Sequence, residues 1–573
     1  MVVILGIAGA VAWRQFNFAT RLEAALPARP DLAARPQIVG EMLTQAEQNA
    51  RSSTTRIDGI AEVGRLYHAN GFIPEAAACW EMLRSEQPRE ARWSYYLADL
   101  SRANSDHAAM AGRLQETLRL APEYAPARLR LADLQFKSGE SADAERNYRL
   151  RLEAMPLDPY ARLGLARLAL QESRSDEARA ELESVLKDTP HFSTAHNLYA
   201  EILAAAGDSA AADKHRWLGR ETLRYREPED PWLDELQAWC YDYERLCVLG
   251  TVELQTHQPA KAQAYLERAI RLEPGRSDAY ELLASAYLTT NDASRARELL
   301  EHALPHLPPG KSAGIFISLS LAYRQLKQPA EAVRVARTGL EQTGQQAELF
   351  GALGEALAES GNHEAAVEAW RAALEQNPGD ASTNYHLARS YLALQRLDDA
   401  LEALDRSLTL QPRFLPTLLL RGEIELAADH LALAETYLRP AFASHPEDPT
   451  ARRLLAIWHL RMGVAAESRK HPGAAERHYL DGLTLDDNHL ELLLRLGLFY
   501  VTQARPSEAL RPLENYHHLQ PEDASGCLLL GQAYAGVDQR ENARKLLRSG
   551  QTLAERSGNK AIAERCRISL QQL

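Results

Sequence analysis

Apolar residues recur along most of the chain at the three- and four-residue spacing that is typical of amphipathic helices. Between Ser277 and Pro308 the spacing appears in two short runs, with apolar side chains at Leu283, Tyr287, Ala296, Leu300 and Ala303. The pair Asn291-Asp292 separates the two runs, and both residues favour turns. The stretch therefore predicts two short helices joined by a tight turn.

The same pattern returns at intervals of 34 residues. Fourteen units begin at Ile57, Ala91, Ala125, Pro159, Ser193, Tyr243, Ser277, Ala313, Ala347, Ala381, Leu415, Pro449, Leu490 and Ala524. One helical hairpin cannot bury its apolar side alone, whereas stacked hairpins share a continuous core. We therefore predict an all-α fold, a right-handed α-solenoid of stacked helix-turn-helix repeats.

Three positions within the unit strengthen this prediction. The eighth residue is glycine, alanine or serine in every unit, which lets two helices approach closely. The twentieth is alanine in thirteen of the fourteen units, if Ala475 is counted after a seven-residue insertion. Ten units carry proline at position 32, where a helix must stop. The pattern covers residues 57 to about 557 and resembles the tetratricopeptide repeat, a helix-turn-helix of 34 residues.

Interruptions of the period divide the chain into segments. The predicted segments are an apolar stretch (1–13), a linker with a leading helix (14–56), an array of five repeats (57–226), an acidic and aromatic insert (227–242), an array of nine repeats (243–557) and a capping helix (558–573). We call the repeats of residues 57–226 the first array and residues 227–242 the insert.

The insert combines acidic residues with Trp232, Trp239 and Tyr241. Insertions in solenoids map to loops on one face, so one interpretation is an elbow that faces a ligand. The other is an adaptor whose aromatic side chains cover the ends of the two arrays, since solenoid ends need a cover and aromatic rings bury a large area. We favour the adaptor.

Composition excludes several classes of protein. Apolar residues make up 45% and charged residues 25% of the chain, which is typical of soluble folded proteins and not of multi-span membrane proteins. With 65 Lys and Arg against 78 Asp and Glu, the net charge of −13 argues against nucleic acid as a partner. The five cysteines contain no C-x-x-C spacing, so neither a zinc ribbon nor a thioredoxin motif is expected.

Residues 2–13 form an almost purely apolar run. As a helix they would span about 18 Å, which is short of the ~30 Å hydrocarbon core of a bilayer. We predict a truncated anchor, with membrane contact through residues 1–13 and a membrane-anchored localisation on a side left open. Arg14 and Arg21 favour the cytoplasm for the residues that follow. A cleaved signal or a buried N-terminal helix is the alternative, which would make the protein secreted or cytoplasmic and soluble.

Motifs for catalysis are not found. The sequence Gly310-Lys311-Ser312 imitates a phosphate loop, but Pro305 stands where that motif needs glycine. Neither H-E-x-x-H nor G-x-S-x-G occurs, and the repeats leave no stretch long enough for a catalytic domain. We predict a protein that is not an enzyme, with no catalytic residues, no cofactor and no metal.

The resemblance implies that a partner binds in a concave groove, lined by positions 2, 5, 6 and 9 of each first helix. These positions in the first array, with two tryptophans of the insert, give the candidate protein-binding residues Arg65, Arg92, Tyr95, Tyr96, Asp99, Arg130, Asp133, Trp232 and Trp239. Aromatic rings supply contact area and Arg pairs with carboxylates. Tyr95 and Tyr96 suit packing between repeats equally well. No unit carries the lysine and asparagine of the family's carboxylate clamp.

Toward the C-terminus the same positions become apolar: Leu419, Leu420, Leu454, Ile457, Leu494, Leu498, Leu528 and Leu529. They predict either a groove for a partner helix or a surface for self-association. We therefore predict a protein-interaction scaffold that binds a peptide or partner helix of unknown identity. The alternative is an accessory subunit of an enzyme or envelope-assembly complex that docks through the insert.

Overall fold

A computed structural model describes residues 26–573, apart from positions 34, 53, 222–227, 257, 309 and 311. The described residues are almost entirely helical and contain no β-strand. The chain divides into two compact units, Met1–Gly361 and Asn362–Leu573. This architecture confirms the predicted all-α solenoid of stacked hairpins.

The helices described in the unit Met1–Gly361 are α1 (Gln37–Arg51), α2 (Arg56–Ala69), α3 (Ile73–Glu86), α4 (Ala91–Ala103), α5 (His107–Leu120), α6 (Ala125–Lys137), α7 (Ser141–Ala154), α8 (Pro159–Gln171), α9 (Ser175–Asp188), α10 (Ser193–Ala205), α11 (Ser209–Glu221), α12 (Pro231–Gln237), α13 (Tyr243–Gln255), α14 (Pro259–Leu272), α15 (Asp278–Thr289), α16 (Ala293–Ala303), α17 (Ala313–Gln325), α18 (Pro329–Thr343) and α19 (Ala347–Glu359). A short 3-10 helix, Leu304–His306, follows α16.

The unit Asn362–Leu573 contains α20 (His363–Gln376), α21 (Ala381–Ala393), α22 (Leu397–Leu410), α23 (Leu415–Ala427), α24 (Leu431–Ser444), α25 (Pro449–Ser468), α26 (Pro472–Leu485), α27 (Leu490–Thr502), α28 (Pro506–Leu519), α29 (Ala524–Gly536), α30 (Arg540–Arg556) and α31 (Lys560–Gln571). In α31, Cys566 is fully buried against Leu528 and Leu547 of the last hairpin. The assignment of residues 558–573 as a cap stays a prediction.

Small residues allow the two helices of a hairpin to touch, as the eighth position predicts. A Cβ atom added at Gly64 would lie 2.8 Å from the ring of Trp80, and one added at Gly422 would lie 2.4 Å from Leu438. Real Cβ atoms do not approach that closely, so a larger side chain would push the helices apart. The alternation of a small residue with a large partner therefore sets the spacing within the hairpin.

The seven-residue insertion in the Pro449 unit lengthens its first helix. Helix α25 has 20 residues, and Gly463 is the residue whose added Cβ would lie 2.3 Å from Tyr479 of α26. Counting from the start of the unit gives Ala456 as the contact position instead. The structure shows that the extra residues extend the N-terminal end of the helix and shift the contact by two turns.

The predicted membrane-anchored localisation requires correction. No helix in the described ranges is both long and apolar enough to cross a membrane. A crossing helix needs about 20 mostly apolar residues, whereas the 20-residue α25 carries Arg452, Arg453 and Arg461. The apolar stretch 1–13, from which the anchor was predicted, lies outside the described residues.

Candidate protein-binding site

Most candidate residues of the first array lie on three consecutive first helices. Helix α2 carries Arg65, helix α4 carries Arg92, Tyr95, Tyr96 and Asp99, and helix α6 carries Arg130. Helical residues three or four apart are neighbours, and stacked repeats bring equivalent positions side by side. We call these six residues the polar face.

The carboxylate of Asp230 makes the most buried contact between the insert and the polar face. It accepts hydrogen bonds from the hydroxyls of Tyr95 and Tyr124, the latter at 2.6 Å, and Arg130 Nη2 lies 3.2 Å from its Oδ2. Asp230 is only 7% exposed. Because a buried charge without partners is costly, these three groups make its burial tolerable.

Trp232 binds through both its ring and its backbone. The indole stacks on Tyr124 with ring centroids 3.6 Å apart, and it meets Tyr95 edge-on at 5.6 Å. The Trp232 N–H donates to the Tyr124 hydroxyl at 3.2 Å, and its carbonyl accepts from the Tyr96 hydroxyl at 3.1 Å. The polar face therefore contacts an aromatic side chain and the adjoining peptide groups together.

Two arginines of the polar face approach Glu235 of α12. Arg65 Nη2 lies 3.1 Å from Glu235 Oε1, and Arg92 Nη1 lies 3.9 Å from Oε2. The guanidinium of Arg65 also lies over the ring of Trp239, 5.9 Å from its centroid. Glu235 is partly exposed, so each ion pair contributes about 0–1 kcal/mol. These contacts orient α12 more than they stabilise it.

Asn70 holds the backbone of the insert. Its side chain donates to the carbonyl of Trp239 at 2.9 Å and accepts from the N–H of Tyr241 at 2.6 Å. A third hydrogen bond, from Nδ2 to the Leu66 carbonyl at 2.7 Å, fixes the amide at the end of α2. Asn70 is 1% exposed, so its amide is fully committed to these contacts.

Asp99 holds Arg130 in place from within the first array. Its carboxylate lies 2.9 Å from Arg130 Nη1 and 3.2 Å from His68 Nε2. Trp80, whose indole N–H can only donate, points at His68 Nδ1, so Nε2 carries the proton and donates to Asp99. Burial alone would raise the pKa of Asp99, but the His68 hydrogen bond and the charges of Arg102 and Arg130 hold it well below its usual range.

The tyrosines of the site remain hydrogen-bond donors at every physiological pH. Burial raises the pKa of Tyr95, Tyr96 and Tyr124 far above the usual value, and the nearby carboxylates of Asp230 and Glu235 raise it further. Tyr95 and Tyr96 are also fully buried, and the Tyr96 ring lies 4.9 Å from that of Trp80. The rings therefore pack between repeats while the hydroxyls bind the insert.

Asp133 lies on α6 beside the polar face. It accepts a hydrogen bond from the hydroxyl of Tyr148 on α7. It also lines a cavity of about 200 Å³ whose wall includes Arg102, Lys137 and Asp230. The insert thus borders a recess that has cationic side chains on one side.

The sequence did not reveal several residues of the site. Tyr124 precedes α6 and Asn70 follows α2, so both fall outside the groove positions of the repeat. His68 lies on α2, where a lone histidine gave no signal. For Asp230 the only signal was the acidic and aromatic composition of the insert. Trp232, Trp239 and Tyr241 are half-buried against the core of the first array, which gives them a packing role inside the chain.

Part of the apolar surface predicted toward the C-terminus lies in the core instead. Leu454, Leu528 and Leu529 are 2%, 1% and 5% exposed. The side chains that remain half-buried are Leu419, Leu420, Ile457, Leu494 and Leu498. Packing against neighbouring helices covers the first three, so they are not accessible to a partner.

Within the described part of the chain, no group of three or more His, Cys, Asp or Glu side chains is arranged to hold a metal ion. The cysteines are free and buried. Burial raises the pKa of the Cys79 thiol to about 12 and that of Cys240 to about 11. Both thiols are therefore protonated and poorly nucleophilic at neutral pH.

Models of the tetratricopeptide repeat match residues 143–202, 253–313, 317–381 and 352–413. Together with the stacked hairpins, these matches show that the chain contains tetratricopeptide repeats. It is similar to cellulose synthase operon protein C of Pseudomonas fluorescens (strain SBW25), with 25% identity over 320 residues that cover 54% of this chain and 25% of the relative. It is also similar to cellulose synthase 2 operon protein C of Komagataeibacter xylinus, with 26% identity over 357 residues, 56% of this chain and 27% of the relative.

The chain thus spans about a quarter of the length of these curated relatives. Among solved structures, it is similar to the APC/C hetero-tetramer Cut9-Hcn1, with a TM-score of 0.31 and 15% identity over 86% of this chain and 98% of that one. It is also similar to YrrB, described as a tetratricopeptide repeat protein with an unusual peptide-binding site, with a TM-score of 0.26 and 23% identity over 31% of this chain and 90% of that one.

Proposed function

We propose that the protein is a scaffold that binds a segment of another protein at the polar face, as an accessory component of a polysaccharide-synthesising assembly. The observation that carries this proposal is the binding of the insert itself. Side chains from three consecutive repeats contact a carboxylate, an indole and peptide groups of one short segment. Recognition of a peptide by a repeat array uses the same kinds of contact.

The names of the similar proteins support the link to a polysaccharide-synthesising assembly. Both are products of cellulose synthase operons, and each is similar to this chain over about a quarter of its own length. A repeat segment shared with such proteins favours an accessory binding role in making or handling a polysaccharide. The identity of the partner is open to experiment.

Docking through the insert is a second candidate. Pro231 and Asp234 of α12 and Ala238 directly after it remain exposed, so a partner can reach them while Trp232 stays on the polar face. An exposed edge of this kind presents little apolar area, which disfavours a tight complex. The two candidates place the partner at different residues and can be separated by position.

A photo-reactive amino acid incorporated at single positions of the full-length chain tests the proposal. Position 137 lies on the wall of the recess beside Asp230, position 234 lies on the exposed edge of the insert, and position 146 is an exposed control on α7. Irradiation in the native cell is expected to cross-link one reproducible protein at position 137 and not at 146. Cross-linking at 234 alone would favour docking through the insert. A partner that co-purifies but cross-links equally at 137, 234 and 146 would contradict both candidates.

A further inference from the structure

The two ends of the insert are held in different ways. The C-terminal part, residues 236–242, is fixed by the body of the protein. Arg268 on α14 donates to the carbonyls of Gln237, Ala238 and Cys240 at 2.9, 2.7 and 3.3 Å. Leu236 and Cys240 are 3% and 0% exposed. This part is a structural connection to α13.

The N-terminal part, residues 228–235, is held mainly by the polar face. Its polar anchors there are Asp230 and Glu235, and its aromatic anchor is Trp232. Pro231, Asp234 and Glu235 remain exposed. Residues 228–235 are therefore held much as a peptide is held, through a few side chains and the backbone of Trp232, with Trp232 and Leu233 packed against the core of the first array.

The polar face and residues 228–235 have complementary hydrogen-bonding groups, with the donors on the face and the acceptors on the segment. To this contact the polar face contributes donors, namely the hydroxyls of Tyr95 and Tyr96 and the guanidinium groups of three arginines. Residues 228–235 contribute acceptors, namely two carboxylates and the Trp232 carbonyl. These contacts do not depend on a covalent link to the array, so a separate segment with the same side chains can make them.

Contacts that do not involve residues 228–235 also hold the polar face. Arg130 keeps its ion pair with Asp99 at 2.9 Å, and the Tyr96 ring stays packed on Trp80. Arg65 keeps Trp239, which belongs to the fixed part of the insert. A face that is already ordered loses little conformational entropy when a new ligand binds.

We propose that residues 228–235 are an internal ligand of the polar face, and that this face takes in their place an acidic, tryptophan-containing segment of a protein partner. The proposal rests on the proposed function, because it assigns to the same face the class of segment that it binds. A covalently linked ligand acts at a high effective concentration, so the partner must displace it. The internal ligand therefore keeps the face closed to weaker segments.

The test uses the full chain and a fluorescein-labelled synthetic peptide of residues 228–235 with blocked termini, with binding followed by fluorescence anisotropy. The variant Asp230→Asn/Trp232→Ala loses the anchors of the internal ligand and is expected to bind the peptide at least about tenfold more tightly than the unaltered protein. A peptide with the same two substitutions is expected not to bind. Circular dichroism verifies that the variant keeps its helicity.

A second pair of variants locates the peptide. Arg130→Glu, added to Asp230→Asn/Trp232→Ala, is expected to abolish binding, whereas Arg119→Glu on the exposed side of α5 makes the same charge change and is expected to leave it intact. Equal peptide affinity of the open variant and the unaltered protein, or binding that ignores Arg130→Glu, would overturn the proposal.

Hydrogen exchange of the unaltered protein supplies an independent measurement. The amides of residues 232–235 are expected to exchange at least about tenfold faster than those of α4 and α6, because the internal ligand opens locally. Equal protection would mean that the segment is part of the core, and would overturn the proposal. If the open variant binds the peptide but no protein is cross-linked at position 137, residues 228–235 are still an internal ligand. The proposed function would then be contradicted.

Discussion

Equivalent positions of the first helices carry different chemistry in the two units. In the first array they form the polar face, where Arg130 lies between Asp99 at 2.9 Å and Asp230 at 3.2 Å. In the unit Asn362–Leu573 several of the equivalent places carry leucine or isoleucine. Among them, Leu528 is 1% exposed, whereas Leu494 is half-buried. We call the latter set, defined by Leu419, Leu420, Ile457, Leu494 and Leu498, the aliphatic face.

The difference separates two uses of one scaffold. Charged groups and hydroxyls stabilise a contact only when donor and acceptor meet at short distance and suitable angle, so the contacts of the polar face depend on the geometry of their partner groups. Aliphatic side chains stabilise by removing area from water, without directional preference. Side chains such as Leu528 therefore support the stack of hairpins, and those of the aliphatic face contribute only part of their area to it.

Removal of Asp99 is expected to have the largest effect, because the polar face depends on it. Asp99→Ala leaves Arg130, Arg102 and His68 without their shared acceptor. Loss of one partner from a buried ionic network costs about 3–5 kcal/mol. Hydrogen exchange of the amides of α2, α4 and α6 measures this change as a lower free energy of local opening.

A matched substitution checks that the effect comes from the network. Asp143→Ala removes an exposed carboxylate that pairs with Arg146 within α7, and such pairs contribute less than about 0.5 kcal/mol. A small effect of Asp99→Ala, similar to that of Asp143→Ala, would mean that the polar face does not depend on its internal ion pairs. The contrast with the aliphatic face would then be one of composition alone.

A pair of leucine truncations examines the other side of the comparison. Leu528 and Leu494 occupy the same position in consecutive repeats, but only Leu528 lies in the core. Leu528→Ala is expected to lower the free energy of unfolding of its unit by about 3 kcal/mol, through lost burial and a cavity. Leu494→Ala is expected to cost about 1 kcal/mol, because much of its surface already meets water.

Urea unfolding followed by circular dichroism and by tryptophan fluorescence measures both leucine variants. Equal costs would show that Leu494 is as well packed as Leu528, and the aliphatic face would then be an ordinary part of the core. A larger cost for Leu494→Ala than for Leu528→Ala would contradict the assignment of the two side chains. Together the two variants measure how the free energy of unfolding depends on the burial of a leucine within one fold.

Much of the fold follows from the sequence because the repeat is local. A 34-residue period, small residues such as Gly64 and regular helix-ending prolines predict the helix starts at Ala91 and Ala125 without long-range information. An insertion breaks this logic. The sequence does not show whether the seven extra residues of the Pro449 unit lengthen a turn or a helix. It therefore does not identify Gly463 as the residue that meets Tyr479.

The polar face could be predicted only in part, for a related reason. Its own residues follow from groove positions that the family defines. The occupant does not, because Asp230 lies 100 positions from Arg130 and 135 from Tyr95, and the sequence carries no pattern that joins them. Asn70 and Tyr124 also cannot be predicted from the groove positions, because these positions lie inside the first helices and the two residues lie just outside them.

The smallest expected effect concerns a feature that both units share. A pair of histidines meets through Nδ1 atoms in each, His196 with His215 at 2.9 Å and His459 with His478 at 3.2 Å. Burial, followed by the proximity of His478, lowers the pKa of His459 to about 4, and burial also lowers the pKa of the other three rings. The pairs therefore favour the neutral rings.

The sign of the pH effect follows from these shifts. As the pH falls below about 6.5, the unfolded chain binds protons that the folded chain does not, so stability falls until about pH 4 and is unaffected above 6.5. Allowing for solvent screening, we expect His459 to lower the free energy of unfolding by about 1 kcal/mol between pH 7 and pH 5. Urea unfolding at both pH values measures this loss, which His459→Gln should remove. If His459→Gln loses as much stability between pH 7 and pH 5 as the unaltered protein, the pH dependence belongs to other groups. If His196→Gln removes more of this loss than His459→Gln does, the stronger pH dependence lies in the unit Met1–Gly361.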